Sequence, residues 1–271
     1  MTDESTHTSA PSAPTPDEGW RVVVEENWNE FDTDRWSVGF VDRAEWIPDD
    51  DATVSADHVS VRDGQCLLEI ESEGTGPAGC HQGVINASVG GLSHHPSVGV
   101  AIDPSPGQYV EARLRLPGRT GVLPAFWMHA ADTTWPPEID IVELLQRGDD
   151  PTAARRRLHA DVHWSHSGEP GDSSVHEHAP TAVDTGVDLT AGLHTYGCAW
   201  FTDRVEWYFD GRRVATRREP APMLASLTGD AARPFAPVFS THVNRVGEAD
   251  LSTAWSEELV IDQFRLLEVE R

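Results

Sequence analysis

The sequence predicts an all-β domain, two antiparallel sheets stacked face to face, and three observations predict it. About twelve short β-like runs follow one another from Trp20 onward, separated by Gly, Pro and Asp clusters at the spacing of a sandwich. One separation, the Asp210-Gly211 pair inside "WYFDGRRV", supplies the positive φ angles of a tight hairpin turn. Helical patterning is nearly missing: only "PAPMLASL" (220–227) suits a helical turn.

In chain order the expected strands begin with "WRVVVEE" (20–26), "HVSVRDG" (58–64), "CLLEIES" (66–72), "GQYVEARLRL" (107–116) and "LPAFWMHA" (123–130). "EIDIVELL" (138–145), "RLHADVHW" (157–164), "HTYGCAWF" (194–201) and "RVEWYFDG" (204–211) follow. "RRVATRR" (212–218), "PVFSTHV" (237–243) and "LVIDQFRLLEVE" (259–270) complete the set. No linker divides the chain after residue 19 and no repeat is apparent, so residues 20–271 are expected to form a single domain. Residues 1–19, "MTDESTHTSAPSAPTPDEG", are rich in Ser, Thr and Pro and read as a disordered leader. They show neither the basic start nor the apolar centre of a signal peptide. No apolar run approaches the ~18 residues of a membrane span.

Composition narrows the partners. Ten Trp against three Met indicate flat apolar surfaces for packing or for stacking ligands. The formal net charge is -25, and the 20 basic residues are all Arg. Repulsion opposes binding to nucleic acid and to anionic membrane, so neither is an expected partner. A dense carboxylate surface stays hydrated in concentrated salt, where screening removes its self-repulsion. Together with the missing Lys, it resembles proteins of salt-loving archaea. Cys66, Cys80 and Cys198 show no CxxC spacing, so neither a disulfide framework nor a zinc knuckle is indicated. Free thiols are expected, although Cys66 and Cys80 could meet in a β protein.

The stretch "WPPEIDIVELL" (135–145) carries the chemistry. It sets three carboxylates in a run that otherwise reads as a buried strand, and burying unpaired charge is costly. Glu138 and Asp140 lie two apart and share a face, whereas Glu143 on a regular strand would point into apolar packing. A β-bulge at Ile141–Val142 returns Glu143 to the face of the other two, with Leu144 turned inward. Carboxyl groups ~5–5.5 Å apart form the pair of a retaining glycosidase, and ~6.5–9.5 Å allows inversion. Four strand steps separate the two Glu Cα atoms by ~13 Å, so the side chains must lean together. Like charges this close push proton affinities apart, so one Glu can stay protonated while another ionises. The plain alternative is three surface acids on a chain with 45 Asp and Glu. His159, Asp161 and His163 share a face in "RLHADVHW", but their spacing matches no closed zinc site, and "HEH" (176–178) is not HExxH.

"EIDIVE" preceded by "WPP", with "GVLPAFWMH" just upstream, resembles glycoside hydrolase family 16 in its bulged ExDxxE form, typical of laminarinase-like endo-β-1,3-glucanases. "FDTDRWSV" (31–38), "GQYVEARLRLPGRTGVLPAFWM" (107–128), "DVHW" (161–164), "GLHTYGCAWFTDRVEWYFDGRRV" (192–214) and "LVIDQFRLLE" (259–268) continue the likeness in family order. The resemblance implies a β-jelly-roll sandwich with a sugar cleft across its concave sheet. It implies Glu138 as nucleophile, Asp140 as auxiliary acid and Glu143 as general acid/base of a retaining hydrolysis. It also implies stacking roles for Trp127 and Trp135, sugar contacts from Glu111 and Arg113, and a cleft role for His163 near the acid/base. Ser240, His242 and Asn244 in "STHVNRVGE" (240–248) are expected to alternate into the cleft, where the family often carries an Asn, and which of the three matches it stays open. For Trp127 the alternative is core packing, and for Glu111 and Arg113 a surface ion pair. No cofactor is expected for catalysis. A structural calcium, held by Asp262 and a carbonyl near Gly64, is implied by the resemblance alone.

The expected activity is endo-hydrolysis of β-glucan, β-1,3-linked first, by a chain acting as a monomer on a polysaccharide. A non-catalytic β-glucan-binding protein, an agar- or carrageenan-acting relative and a transglycosylase are the alternatives. Action outside the cell is expected from that activity, although no export signal is visible.

Overall fold

The computed structural model describes residues 12–15, 19–40, 50–89, 99–100, 102–132, 134–146, 150–229, 235–245 and 249–270. The strands begin with β1 (Trp20–Glu26), β2 (Ser37–Val38), β3 (Thr53–Val54), β4 (Val59–Arg62) and β5 (Gln65–Glu73). Then come β6 (Cys80–Gln82), β7 (Ile85–Asn86), β8 (Ser88–Val89), β9 (Gly99–Val100) and β10 (Gln108–Arg115). The cleft strands β11 (Val122–Ala130), β12 (Glu138–Glu143) and β13 (Arg157–Ser165) precede β14 (His176–His178) and β15 (Thr181–Asp184). The last five are β16 (His194–Phe201), β17 (Arg204–Phe209), β18 (Arg212–Arg217), β19 (Phe235–Val243) and β20 (Ala254–Val269). Among the described residues helices are confined to α1 (Pro151–Ala154), α2 (Ala221–Thr228) and short 3-10 turns, and none is long and apolar enough to cross a membrane.

Two sheets carry the fold, as expected. One runs β18-β17-β16-β10-β20-β5-β6-β3, with β1 added on β20 and β4 on β5. The other runs β14-β13-β12-β11-β19-β7-β2, with β15 added on β13. Pairing is antiparallel throughout these sheets except for β3 with β6. Period-2 alternation turns Val110, Ala112 and Leu114 of β10 toward Phe126 and Met128 of β11, Ile139 and Val142 of β12, and Phe239 of β19. Phe126 and Phe239 stack with centroids 4.5 Å apart, and Phe264 of β20 meets both edge-on. Cys66, Cys80 and Cys198 are free and buried. Burial pushes the Cys66 and Cys80 thiols up to about 12, and Cys198 well above its ordinary value.

The hairpin at Asp210-Gly211 forms as read, with φ of 45° and 76°. Two expectations need correction. The helix at 220–227 runs through Ala221–Thr228, because Met223, Ser226 and Leu227 pack inward over two turns. β20 starts at Ala254, five residues before the expected run, paired along β5. Within the leader, Ser12 bridges to Arg212, and the Ala13 N–H donates to the Gly211 carbonyl at 2.8 Å. Apart from residues 12–15 and 19, the leader lies outside the described residues.

Candidate active site

The acid strand is bulged where the sequence requires it. Asp140 pairs with Asp161 and Glu143 with His159, so three steps along β12 match two along β13. On the other side Trp127 pairs with Asp140 and Phe126 with Val142, which makes Ile141 the extra residue. Ile141, Val142 and Leu144 are all buried in the core, so the phase change satisfies the apolar side chains and the acids together. Across the core, the Trp207 indole N–H of β17 donates to the Asp140 carbonyl at 2.9 Å, immediately before that extra residue.

Cross-strand partners share a face. The face turned away from the core therefore carries Glu138, Asp140 and Glu143, with Ala125, Trp127 and His129 on one side and His159, Asp161 and His163 on the other. Asp140 and Asp161 are nonetheless buried, and Glu138 keeps only 16% of its side chain exposed. An open sheet face would leave such groups wet, so this face is the floor of a cleft.

Burial, reinforced by Asp140, pushes the Glu138 carboxyl up to about 8; the neighbouring His163 and the Trp135 N–H oppose that rise. Burial and Asp140 likewise push Glu143 up to about 8, against His163 and Arg245. Asp140 itself is held well above the ordinary range by burial and by Asp161. Glu138, Asp140 and Glu143 thus share protons as one coupled group. His163 Nε2 sits 3.1 Å from Asp140 Oδ2 and 3.5 Å from Glu138 Oε1. His163 is the cross-strand partner of Glu138 and acts electrostatically on Glu143 as well, whose own cross-strand partner is His159.

Trp135, on the loop entering β12, donates its indole N–H to Glu138 Oε2 at 3.2 Å. Trp127 donates to Ser240 Oγ at 2.9 Å. Ser240 Oγ lies 3.1 Å from His242 Nε2, and His242 Nδ1 lies 2.9 Å from Asp50 Oδ2. Asp50 also accepts the N–H groups of Ala52 and Val243, both at 3.0 Å, and Gln82 Nε2 at 2.8 Å. This buried chain of hydrogen bonds fixes the plane of Trp127 on the cleft floor. Ser240 and His242 alternate onto the floor as read, but Asn244 does not. It lies past the end of β19 at φ 66°, donates to Asp51 Oδ2 at 2.6 Å and accepts from Ala249, so its amide belongs to the loop.

Glu111 and Arg113 also differ from expectation. They share a face, but β10 belongs to the other sheet, and its inward residues Val110, Ala112 and Leu114 leave both pointing outward from the core, away from the acids. Glu111 binds Arg265 across the β10–β20 ladder and accepts the Tyr109 hydroxyl at 2.8 Å; Arg113 pairs with Asp262 at 2.7 Å. Asp262 spends its other oxygen on Gln65 Nε2 at 2.8 Å, and Gly64 forms the turn between β4 and β5. A calcium there would have to displace a guanidinium, so this donor set does not fit one as it stands.

Sequence reasoning missed Arg245 and Asp50, and it noted "HEH" (176–178) without placing His176 and His178 at the site. His176 and His178 lie two apart on β14, which pairs with β13 and brings both rings beside His163. His163 stacks on His176 at 5.0 Å and on His178 at 5.4 Å between centroids, and Trp135 meets His176 at 4.7 Å. Their H-x-H alternation was the available signal.

Comparison with known proteins agrees with this geometry. Residues 107–236 match the family described as Glycosyl hydrolases family 16. The chain is 36% identical over 115 residues to Endo-1,3-1,4-beta-glycanase ExsH of Rhizobium meliloti, covering 42% of this chain and 22% of that protein. It is 32% identical over 105 residues to the glucan endo-1,3-beta-glucosidase of Cryptopygus antarcticus, covering 37% of this chain and 35% of that one. The chain thus matches about a quarter to a third of these curated relatives' lengths. The glycoside hydrolase family 16 endo-glucanase of Bacteroides ovatus superposes with a TM-score of 0.71 at 21% identity, over 90% of this chain and 100% of that one, a likeness of fold. The matched residues hold β10 to β18 and all three acids of the bulged strand.

Proposed function

We propose that the chain is an endo-acting β-glucan hydrolase, working on β-1,3-linked glucose and retaining anomeric configuration. The observation that carries this reading is the single extra residue at Ile141, which brings Glu143 onto the face of Glu138 and Asp140. The 1,3-linkage is supported by the activities for which both curated relatives are named, and the first of them makes mixed 1,3-1,4-glucan the second substrate to try.

Glu138 is assigned the nucleophile. The Trp135 N–H donated to its Oε2 favours the ionised form that attack requires. Glu143 receives no indole bond among those described and keeps its proton. Attack of Glu138 on the anomeric carbon forms the glycosyl ester as the glycosidic C–O bond breaks, and the Glu143 proton passes to the leaving oxygen. Glu143, now a base, takes a proton from water, whose oxygen attacks the anomeric carbon and frees Glu138. Trp127 and Trp135 offer indole planes to the C–H faces of sugar rings. The lysine-free surface of net charge -25 further supports work in concentrated salt, in the manner of salt-loving archaea.

The test is release of reducing ends from laminarin, mixed-linkage glucan, agarose and carrageenan, in low and in multimolar salt. Laminarin is expected to be cut, faster in salt. Glu138→Ala and Glu143→Ala are each expected to abolish turnover with unfolding curves intact, and full activity in either would refute the assignment. Retention of the protein on glucan with no cleavage at any salt concentration would make it a binding protein instead.

A further inference from the structure

The acids do not use up the polar groups of this cleft. Beside them, Asp161, His163 and His178 turn one ligand atom each toward a common point: Asp161 Oδ2, His163 Nε2 and His178 Nδ1 lie within 4.8 Å of one another. Asp161 Oδ2 is 2.8 Å from His178 Nδ1 and 3.9 Å from His163 Nε2. Tetrahedral zinc, with bonds of ~2.0–2.1 Å, sets its ligand atoms ~3.3 Å apart. The two separations straddle that edge, so small side-chain rotations complete three corners.

The surrounding bonds orient these atoms as outer partners orient metal ligands. Asp161 Oδ1 accepts the Val162 N–H at 2.8 Å, which leaves Oδ2 to face the two imidazoles. His163 Nδ1 lies 2.8 Å from His176 Nε2. A proton on Nδ1 donated to His176 fixes the tautomer whose Nε2 lone pair faces the carboxylates of Asp161, Asp140 and Glu138. Lone pair and carboxylate oxygens then converge on one point, where a cation fits between them. His178 is 51% exposed, so the point is open to solvent. Two imidazoles and one carboxylate suit zinc, nickel or copper and not calcium or magnesium. The cysteines, which would compete for such ions, are buried with their thiols protonated.

We propose that Asp161, His163 and His178 form a site for a divalent transition-metal ion, zinc foremost, whose occupation shuts the cleft. A dication there draws His163 away from Asp140 and Glu138, sets positive charge beside Glu138 and blocks the sugar's seat. The binding claim is independent of the hydrolase reading, whereas the shut-off rests on it.

Calorimetric titration of the chelator-stripped chain with zinc chloride tests the binding. One ion per chain is expected for the wild type. His178→Ala and the milder His178→Gln should bind roughly tenfold more weakly or worse, with unchanged circular dichroism. His166→Ala, an exposed histidine paired with Glu177, should bind as the wild type does. Cobalt in place of zinc should give visible d–d bands that His178→Ala lacks. A wild type that takes up no zinc, or a His178→Ala variant that binds it unchanged, overturns the site. In the laminarin assay zinc should inhibit the wild type, chelator should restore it, and His178→Ala should resist. Zinc bound without loss of an existing activity overturns the shut-off; zinc bound by a chain that never cuts laminarin leaves the site standing and removes the hydrolase reading.

Discussion

Replacing Asp50 by Ala disconnects the bond chain behind Trp127. In the folded state Asp50 is buried and, among the described residues, meets the N–H groups of Ala52 and Val243, Gln82 Nε2 and His242 Nδ1. Gln82 retains a second acceptor, the Ala52 carbonyl at 3.2 Å, so up to three donors are left without a partner. Each buried orphan costs about 1–3 kcal/mol, partly relieved by water entering the vacated space. The loss is therefore about 3–5 kcal/mol, that of breaking a buried charged pair. At about 2–4 °C per kcal/mol for a domain of this size, the thermal midpoint falls by about 6–20 °C. Acid distinguishes this account from simple loss of packing. Burial alone would raise the Asp50 pKa, but His242 and the two backbone N–H groups outweigh it and hold it below the ordinary carboxylate value. A depressed folded pKa contributes stability that is whole above the unfolded value of about 3.9 and disappears as pH falls through the folded one. Denaturant unfolding of wild type and Asp50→Ala should thus show the full gap at pH 7 and a shrinking gap below about pH 4. A gap under about 1 kcal/mol at neutral pH, or one that widens in acid, refutes the reasoning.

Two further perturbations address the acid strand. Trp207→Phe removes the N–H that holds the Asp140 carbonyl before the bulge; denaturation should show a loss of about 1–3 kcal/mol, and kcat should fall more than KM rises. Trp135→Phe keeps an aromatic face but deletes the donor to Glu138. A hydrogen bond to a charged group contributes about 1.5–3 kcal/mol, so kcat/KM on laminarin should fall about 10–100-fold, and an unchanged value would mean that Glu138 does not depend on the indole.

The acid strand was legible because its logic is local. Strand phase and the cost of buried charge together demanded a bulge between Asp140 and Glu143, and Ile141 is where it lies. Phase names a shared face but not the sheet that owns it. Glu111 and Arg113 were correctly read as neighbours on one face, yet only the pairing of β10 with β16 and β20 assigns that face to the far side of the sandwich. Asn244 failed by a boundary: alternation was carried one residue beyond Val243, where the backbone has already turned to positive φ. His176 and His178 sit on a strand of three residues inside a polar loop, too short for periodicity to register. Asp50 reaches the cleft from 192 positions before His242, a contact that no local pattern contains.

The buried thiols have a practical consequence for watching this cleft at work. With Cys66, Cys80 and Cys198 enclosed and no lysine in the chain, the folded molecule offers maleimides no accessible thiolate and succinimidyl esters no lysine amine. A single cysteine introduced at the exposed His178 position would be the one accessible thiol among the described residues. A fluorophore attached there would stand at the mouth of the cleft within quenching range of Trp135, and its intensity would follow the arrival and departure of a glucan chain in real time.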